Sequence, residues 1–381
     1  MKRLLFVLSA ILLLLAFSAC EQKESAAGPQ TTRAEPTASA EPTASAEPTA
    51  SAEPTASAEP KAEASVLRTV GGYMVTANEG QRKNEYPYVL QTENSVWYLA
   101  SADLDLMGEE AFYAGLEDIL QYMEADMADA RKALTGRIPE DIPPVEIRTD
   151  FSDQDDDAER YGAKYNQPFN LIKLFHGWQT VKRSLLHEYV HYLTFSCAGK
   201  KTPYGFYGEA VAEYVSMIVC ENRMCRSDQF GIADDPEQIE TFRAWGVWDE
   251  EKDNLDYRKY VLCESDAFAR GLYDDLIYVS VGQNVCTRTA GKRLPARVND
   301  LSYGETVSLA LYLIETYGEE TFLDRWDLPG DQVAAAFLNR QGLSARKTAG
   351  LNGLSESELL TAWAAWNAEQ CARLGIGMDQ P

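Results

Sequence analysis

Histidine is nearly missing from this chain, and so is any surplus of positive charge. Only three histidines occur in 381 residues, and 59 acidic side chains outnumber 35 basic ones, for a formal net charge of −24. So acidic a composition argues against nucleic acid and anionic lipid headgroups as partner surfaces and suits an exported protein that must stay soluble. Seven cysteines are present but no C-x-x-C occurs, so their spacing does not match a cysteine-built zinc site. Beyond the first twenty residues no apolar run is long enough to span a bilayer.

The N-terminus carries a leader. Met1-Lys2-Arg3 is basic, and the apolar stretch from Leu4 to Ala16 is too short for a stable membrane span. It ends in Phe17-Ser18-Ala19-Cys20. This resembles the lipobox of bacterial lipoproteins, in which a cysteine after small residues is lipidated and becomes the new N-terminus; Phe17 stands where Leu is more usual. The resemblance implies that residues 1–20 are a lipoprotein signal peptide and that a lipid on Cys20 anchors the chain to the cell membrane, with its folded part extracytoplasmic. The alternative is an ordinary signal peptide cut near Ala19, and either reading has the chain exported.

Residues 21–65 form a tether. AEPTAS recurs at 34–39, 40–45, 46–51 and 52–57, followed by the decayed copy AEPKAE. Without aromatic or large aliphatic residues this segment cannot bury enough surface to offset chain entropy. Fully extended at about 3.1 Å per residue, it would hold the remainder roughly 140 Å from the lipid. About 315 residues follow from Val66, enough for two subdomains, 66–223 and 224–381. Cys197, Cys220, Cys225, Cys263, Cys286 and Cys371 lie in this part. In an exported chain they permit up to three disulfides among fifteen pairings, so disulfides are expected with unreadable connectivity.

Val96-Trp97-Tyr98-Leu99 reads as a strand. From Glu109 apolar residues at 112, 116, 119, 120, 123, 127, 130 and 134 keep helical spacing for six turns, ended by Gly136 and Pro139. Residues 144–148 and 170–175 read as two further strands. Between them Asp153-Gln154-Asp155-Asp156-Asp157 looks like the start of a calcium loop, but Ala158 stands at the glycine position and Lys164 at the twelfth, so it reads as a solvated acidic loop.

The next helix, about Thr180 to Phe195, has a buried stripe of Val181, Leu185, Tyr189 and Leu193, and it contains His187-Glu188-Tyr189-Val190-His191. Residues i and i+4 share a helix face, so His187 and His191 can aim two imidazoles at one point. Glu188 is placed to reach a water there without being a ligand. A catalytic zinc usually needs a third protein ligand, and Glu209 offers one eighteen positions later, in Tyr207-Gly208-Glu209-Ala210-Val211-Ala212-Glu213-Tyr214. Glu209 and Glu213 again form an i, i+4 pair.

This combination resembles the gluzincin metallopeptidases, in which H-E-x-x-H supplies two zinc ligands and the general base, and a glutamate about twenty residues later, in a stretch like W-L-x-E-G-x-A-x-Y, supplies the third ligand. The resemblance implies a zinc ion held by His187, His191 and Glu209, with Glu188 as base and Glu213 hydrogen-bonded to a ligand histidine. Phe206-Tyr207 replace Trp-Leu, and Ala210 replaces the usual Gly. The element order from 90 to 220 also matches, implying an α+β, zincin-like fold: an N-terminal subdomain with a small mixed sheet and the two ligand helices, then a mainly helical C-terminal subdomain. Ser302 and Glu305 form a capping box, which puts Tyr303 on the first turn of a helix with Val307, Ala310, Leu311 and Ile314 on one face, ending at Gly318. Some gluzincins present a tyrosine to the zinc from such a position, so Tyr303 is a candidate oxyanion donor; the other reading is a capped structural helix.

The activity implied is hydrolysis of a peptide or protein substrate, with the strand at 170–175 as the edge along which an extended peptide pairs. A catalytically silent surface binding protein on a zincin fold is the competing class. A structural zinc protein is disfavoured by the base and by only three ligands. His176, the remaining histidine, is either a substrate contact or an ordinary turn residue.

Overall fold

Short apolar runs interrupted by turn residues build one mixed sheet of seven strands. It is seen in a computed structural model that describes residues 66–152, 162–197, 206–226, 236–272, 276–279, 286–289, 295, 298–324 and 356–378. Cys20, the tether and the acidic run at 153–157 lie outside the described residues. Strands β1 (Val66–Val70) and β2 (Tyr73–Ala77) are joined by Gly71 and Gly72, both at positive φ, as a two-residue hairpin turn requires. Strands β3 (Tyr88–Gln91) and β4 (Ser95–Leu99) continue the antiparallel run. Helices α1 (Ser101–Met107) and α2 (Glu109–Ala133) then return the chain to β5 (Val145–Thr149), parallel to β4.

Beyond β5 the order departs from expectation. Strand β7 (Leu171–Leu174), foreseen as the sheet edge, is interior: it pairs parallel with β5 on one side and antiparallel with β6 (Ala163–Asn166) on the other. The edge is therefore β6, in the order β1-β2-β3-β4-β5-β7-β6. Four residues, Ala-Lys-Tyr-Asn, carry too little alternation to announce a strand, and it is pairing with β7 that makes them one.

All eight apolar positions foreseen for α2 are buried, the last of them, Leu134, at its C-cap. They pack with Trp97, Ile147 and Ile172 of the sheet in one cluster that also takes in the next helix. That helix, α3 (Trp178–His191), is seated by its first residue. Trp178 packs among Phe112, Phe151 and Trp97, and a Cβ at position 115 would stand 2.0 Å from its ring. Glycine inside a helix costs about 1 kcal/mol, and at Gly115 the absent side chain lets α3 approach α2.

The foreseen stripe of Val181, Leu185, Tyr189 and Leu193 is fully buried. The helix runs past Phe195 because a π-helical turn, Tyr192–Cys197, extends it. Helix α4 (Phe206–Glu213) likewise passes into a π turn, Tyr214–Val219. Both changes of pitch begin directly after a residue foreseen at the site, a placement common for π turns.

The rest is mainly helical among the described residues: α5 (Arg223–Arg226), α6 (Pro236–Ala244), α7 (Tyr257–Arg270), α8 (Tyr303–Tyr317), α9 (Glu319–Leu323) and α10 (Glu356–Leu374). Two ribbons accompany them, β8–β9 (Trp248–Asp249, Asn254–Leu255) and β10–β11 (Leu276–Val279, Cys286–Thr289). The fold is thus α+β with a mixed sheet. The capping box on α8 is formed in both directions, Glu305 N–H to Ser302 Oγ at 3.2 Å and Ser302 N–H to Glu305 Oε2 at 2.9 Å. Asn367 of α10 donates to Leu262 O of α7 at 2.9 Å and accepts from Ser308 of α8 at 2.6 Å, tying the three helices together.

Disulfides were expected, and the described side chains show none: Cys220, Cys263 and Cys371 are buried as thiols. Burial pushes Cys220 and Cys371 up to about 12, which leaves them unreactive. The side chains of Cys197, Cys225 and Cys286 lie outside the described ones. No helix among the described residues is long and apolar enough to cross a membrane.

Candidate metal centre

Helix pitch brings His187 and His191 to one face of α3, and α4 crosses that face with Glu209 and Glu213. All four are buried. His187 Nε2 lies 3.0 Å from His191 Nε2 and 3.1 Å from Glu209 Oε2, and His191 Nε2 lies 3.5 Å from Glu209 Oε2. A tetrahedral ion with bonds of about 2.0–2.1 Å separates its ligands by roughly 3.3 Å, so this triangle fits three corners of such a site. The donor set of two imidazoles and a carboxylate can hold a metal ion.

Glu213 stands behind the triangle. Its Oε1 is 3.2 Å from His187 Nδ1, and its Oε2 accepts from Tyr257 Oη at 3.0 Å. The charges favour a cation at this point. Burial alone would disfavour charge on His187, but Glu209 and Glu213 outweigh it and raise the imidazole well above its usual range. Burial likewise pushes the Glu209 carboxyl up, yet the two histidines overcome it and hold it at about 2. Glu213 is lowered in the same way, against burial, by His187, with Arg183 and Tyr257 assisting.

Comparison with protein-family models, curated proteins and solved structures finds no match.

Glu188 does not join the triangle. Its carboxylate accepts from the Tyr165 main-chain N–H at 2.6 Å, and burial raises its pKa above the ordinary carboxylate range despite the nearby histidines. The direction of that amide follows from register. Phe175 N–H bonds to Gly162 O at 2.8 Å, so by antiparallel alternation Lys164 and Asn166 also face β7. Ala163 and Tyr165 then turn their main chain to the other side, away from β7, where the Tyr165 N–H meets Glu188 of α3. The Tyr165 side chain is anchored by Asn170 Oδ1 at 3.0 Å and by Ser196.

Tyr303 reaches the site from α8, its ring 6.1 Å from the His187 ring at 61°. Phe195 packs on His191 at 5.5 Å. His176 lies in the turn after β7, with φ of 61° and its side chain exposed. Tyr165, Arg183 and Tyr257 were not foreseen. Tyr165 contributes through its backbone, which no residue pattern reports, and Tyr257 arrives from 44 positions beyond its partner Glu213.

Proposed function

We propose that the protein is a zinc-dependent peptidase, with His187, His191 and Glu209 as ligands and Glu188 as general base. The observation that carries this reading is the pairing of a three-donor triangle of tetrahedral dimensions with a carboxylate beside it that is not a ligand. A zinc ion held there supplies Lewis acidity and makes water a nucleophile near neutral pH.

The chain's own residues do the rest. Glu188 accepts the proton of the attacking water and returns it to the leaving amine. Its raised pKa suits both roles, since a base too acidic would not take the proton. As the outer strand of the described sheet, β6 turns the Ala163 main chain toward an extended peptide, which β7 cannot do from the sheet interior, while the Tyr165 N–H holds Glu188. Tyr303 donates its hydroxyl to the oxygen that gains charge in the transition state. Lipidation of Cys20 places this activity outside the cell, at the end of the tether.

The test is Glu188→Gln assayed against a diverse peptide library. The variant keeps its zinc while turnover falls about 100- to 10,000-fold. Loss of zinc with this substitution would mean the roles are misassigned, and a wild type that binds zinc but cleaves nothing would leave a silent binding protein.

A further inference from the structure

Glu213 faces His187 with one oxygen, and its other oxygen is held from a different part of the chain. Tyr257 opens α7, where its position is set from both sides. Asp256 caps the helix by accepting from Lys259 N–H at 3.0 Å, and Asp256 N–H bonds to Val247 O at 2.8 Å. The Tyr257 side chain is buried, 7% exposed, and its hydroxyl donates to Glu213 Oε2 at 3.0 Å. A glutamate has three rotatable bonds, and a buried oxygen left without a donor is strongly disfavoured. With Oε2 pinned by Tyr257, Oε1 is left facing His187 Nδ1 at 3.2 Å, which in turn aims Nε2 at His191 and Glu209.

We propose that Tyr257 is a positioning residue for the metal centre, acting through Glu213 to orient the His187 ring. This rests on the metal-centre reading above. It makes metal affinity depend on α7, so that ligands carried by α3 and α4 are completed from the C-terminal part of the chain. Partners of ligand histidines typically change metal affinity about 10- to 100-fold when lost, and Tyr257, one step further out, falls at the low end.

The fold supplies its own control. Tyr260, one turn along α7, is also buried and also donates to a glutamate, but to Glu264, at 3.2 Å. The experiment compares wild type, Tyr257→Phe and Tyr260→Phe by zinc competition against a chromophoric chelator and by the visible absorption of the Co²⁺-loaded protein. Tyr257→Phe weakens zinc binding about 10-fold and shifts the Co²⁺ bands, which report ligand geometry; Tyr260→Phe does neither. Wild-type affinity and spectrum in Tyr257→Phe, or equal losses in both variants, overturn the proposal. A wild type that takes up neither metal overturns it together with the metal-centre reading.

Discussion

The long helix α2 and the histidine-bearing helix α3 each border a cluster of charged side chains, and the two clusters are neutralised differently. On α2, Asp126 is fully buried and meets Arg223 of α5 at 3.0 Å, while Asp129 pairs with the same guanidinium. Asp126 also accepts from Met224 N–H at 3.3 Å, capping the short helix that carries Arg223. The cation there is a side chain, and the cluster is complete within the chain. Around α3 two carboxylates converge on two histidines, with three donor atoms turned toward one another at 3.0–3.5 Å. A cluster that closes on its own arginine joins two helices; one that aims its donors at a common point is shaped for an ion from outside.

Removing one member from each cluster gives the largest contrast. His187→Ala takes away a corner of the triangle, so metal and peptide hydrolysis should both be lost while the fold persists. Arg223→Ala leaves Asp126 buried without its cation, a loss near the low end of about 3–5 kcal/mol because the arginine is partly exposed. Denaturation and metal analysis of the two variants check this, and metal loss in Arg223→Ala would dissolve the distinction. Tyr303→Phe sharpens it inside the metal cluster: turnover should fall about 100- to 1000-fold with metal content and melting temperature unchanged. Near-normal turnover would return Tyr303 to a packing role. Glu213→Ala should weaken zinc binding about 10- to 100-fold without abolishing it, as chelator competition would read; complete loss would make Glu213 a ligand.

The α2 cluster also carries a dependence on pH. Burial raises Asp126 from 3.8 to about 6, against the pull of Met224 N–H and Arg223. Between those values the folded state holds the proton more tightly than the unfolded chain. The stability this contributes is therefore full below about pH 4 and is lost as pH rises through about 6. At about 1.36 kcal/mol per pKa unit the span is on the order of 3 kcal/mol. Asp126→Asn should flatten urea-denaturation stability over that range relative to wild type, and an unchanged slope would assign it elsewhere.

Much of the site was legible because helical spacing is written in side chains. His187, Glu188 and His191 occupy fixed offsets, Glu209 and Glu213 repeat the four-residue step, and the stripe of α2 is buried at every foreseen position. The capping box of α8 was legible for the same reason. The edge strand was not, since β6 is four residues long and owes its state to β7. Nor were β1 to β3, although they pair as consecutive antiparallel neighbours and Gly71-Gly72 marks the first turn. Tyr257 looks like any helical tyrosine until α7 docks, and the thiols of Cys220, Cys263 and Cys371 show that an even cysteine count does not measure distances between them.

The central claim is that the triangle of His187, His191 and Glu209 holds zinc, and elemental analysis of the purified protein, prepared without chelators, tests it most directly. The account predicts about one zinc per chain in the wild type and almost none in Glu209→Ala. Metal-free wild type, or equal zinc in both, would contradict it.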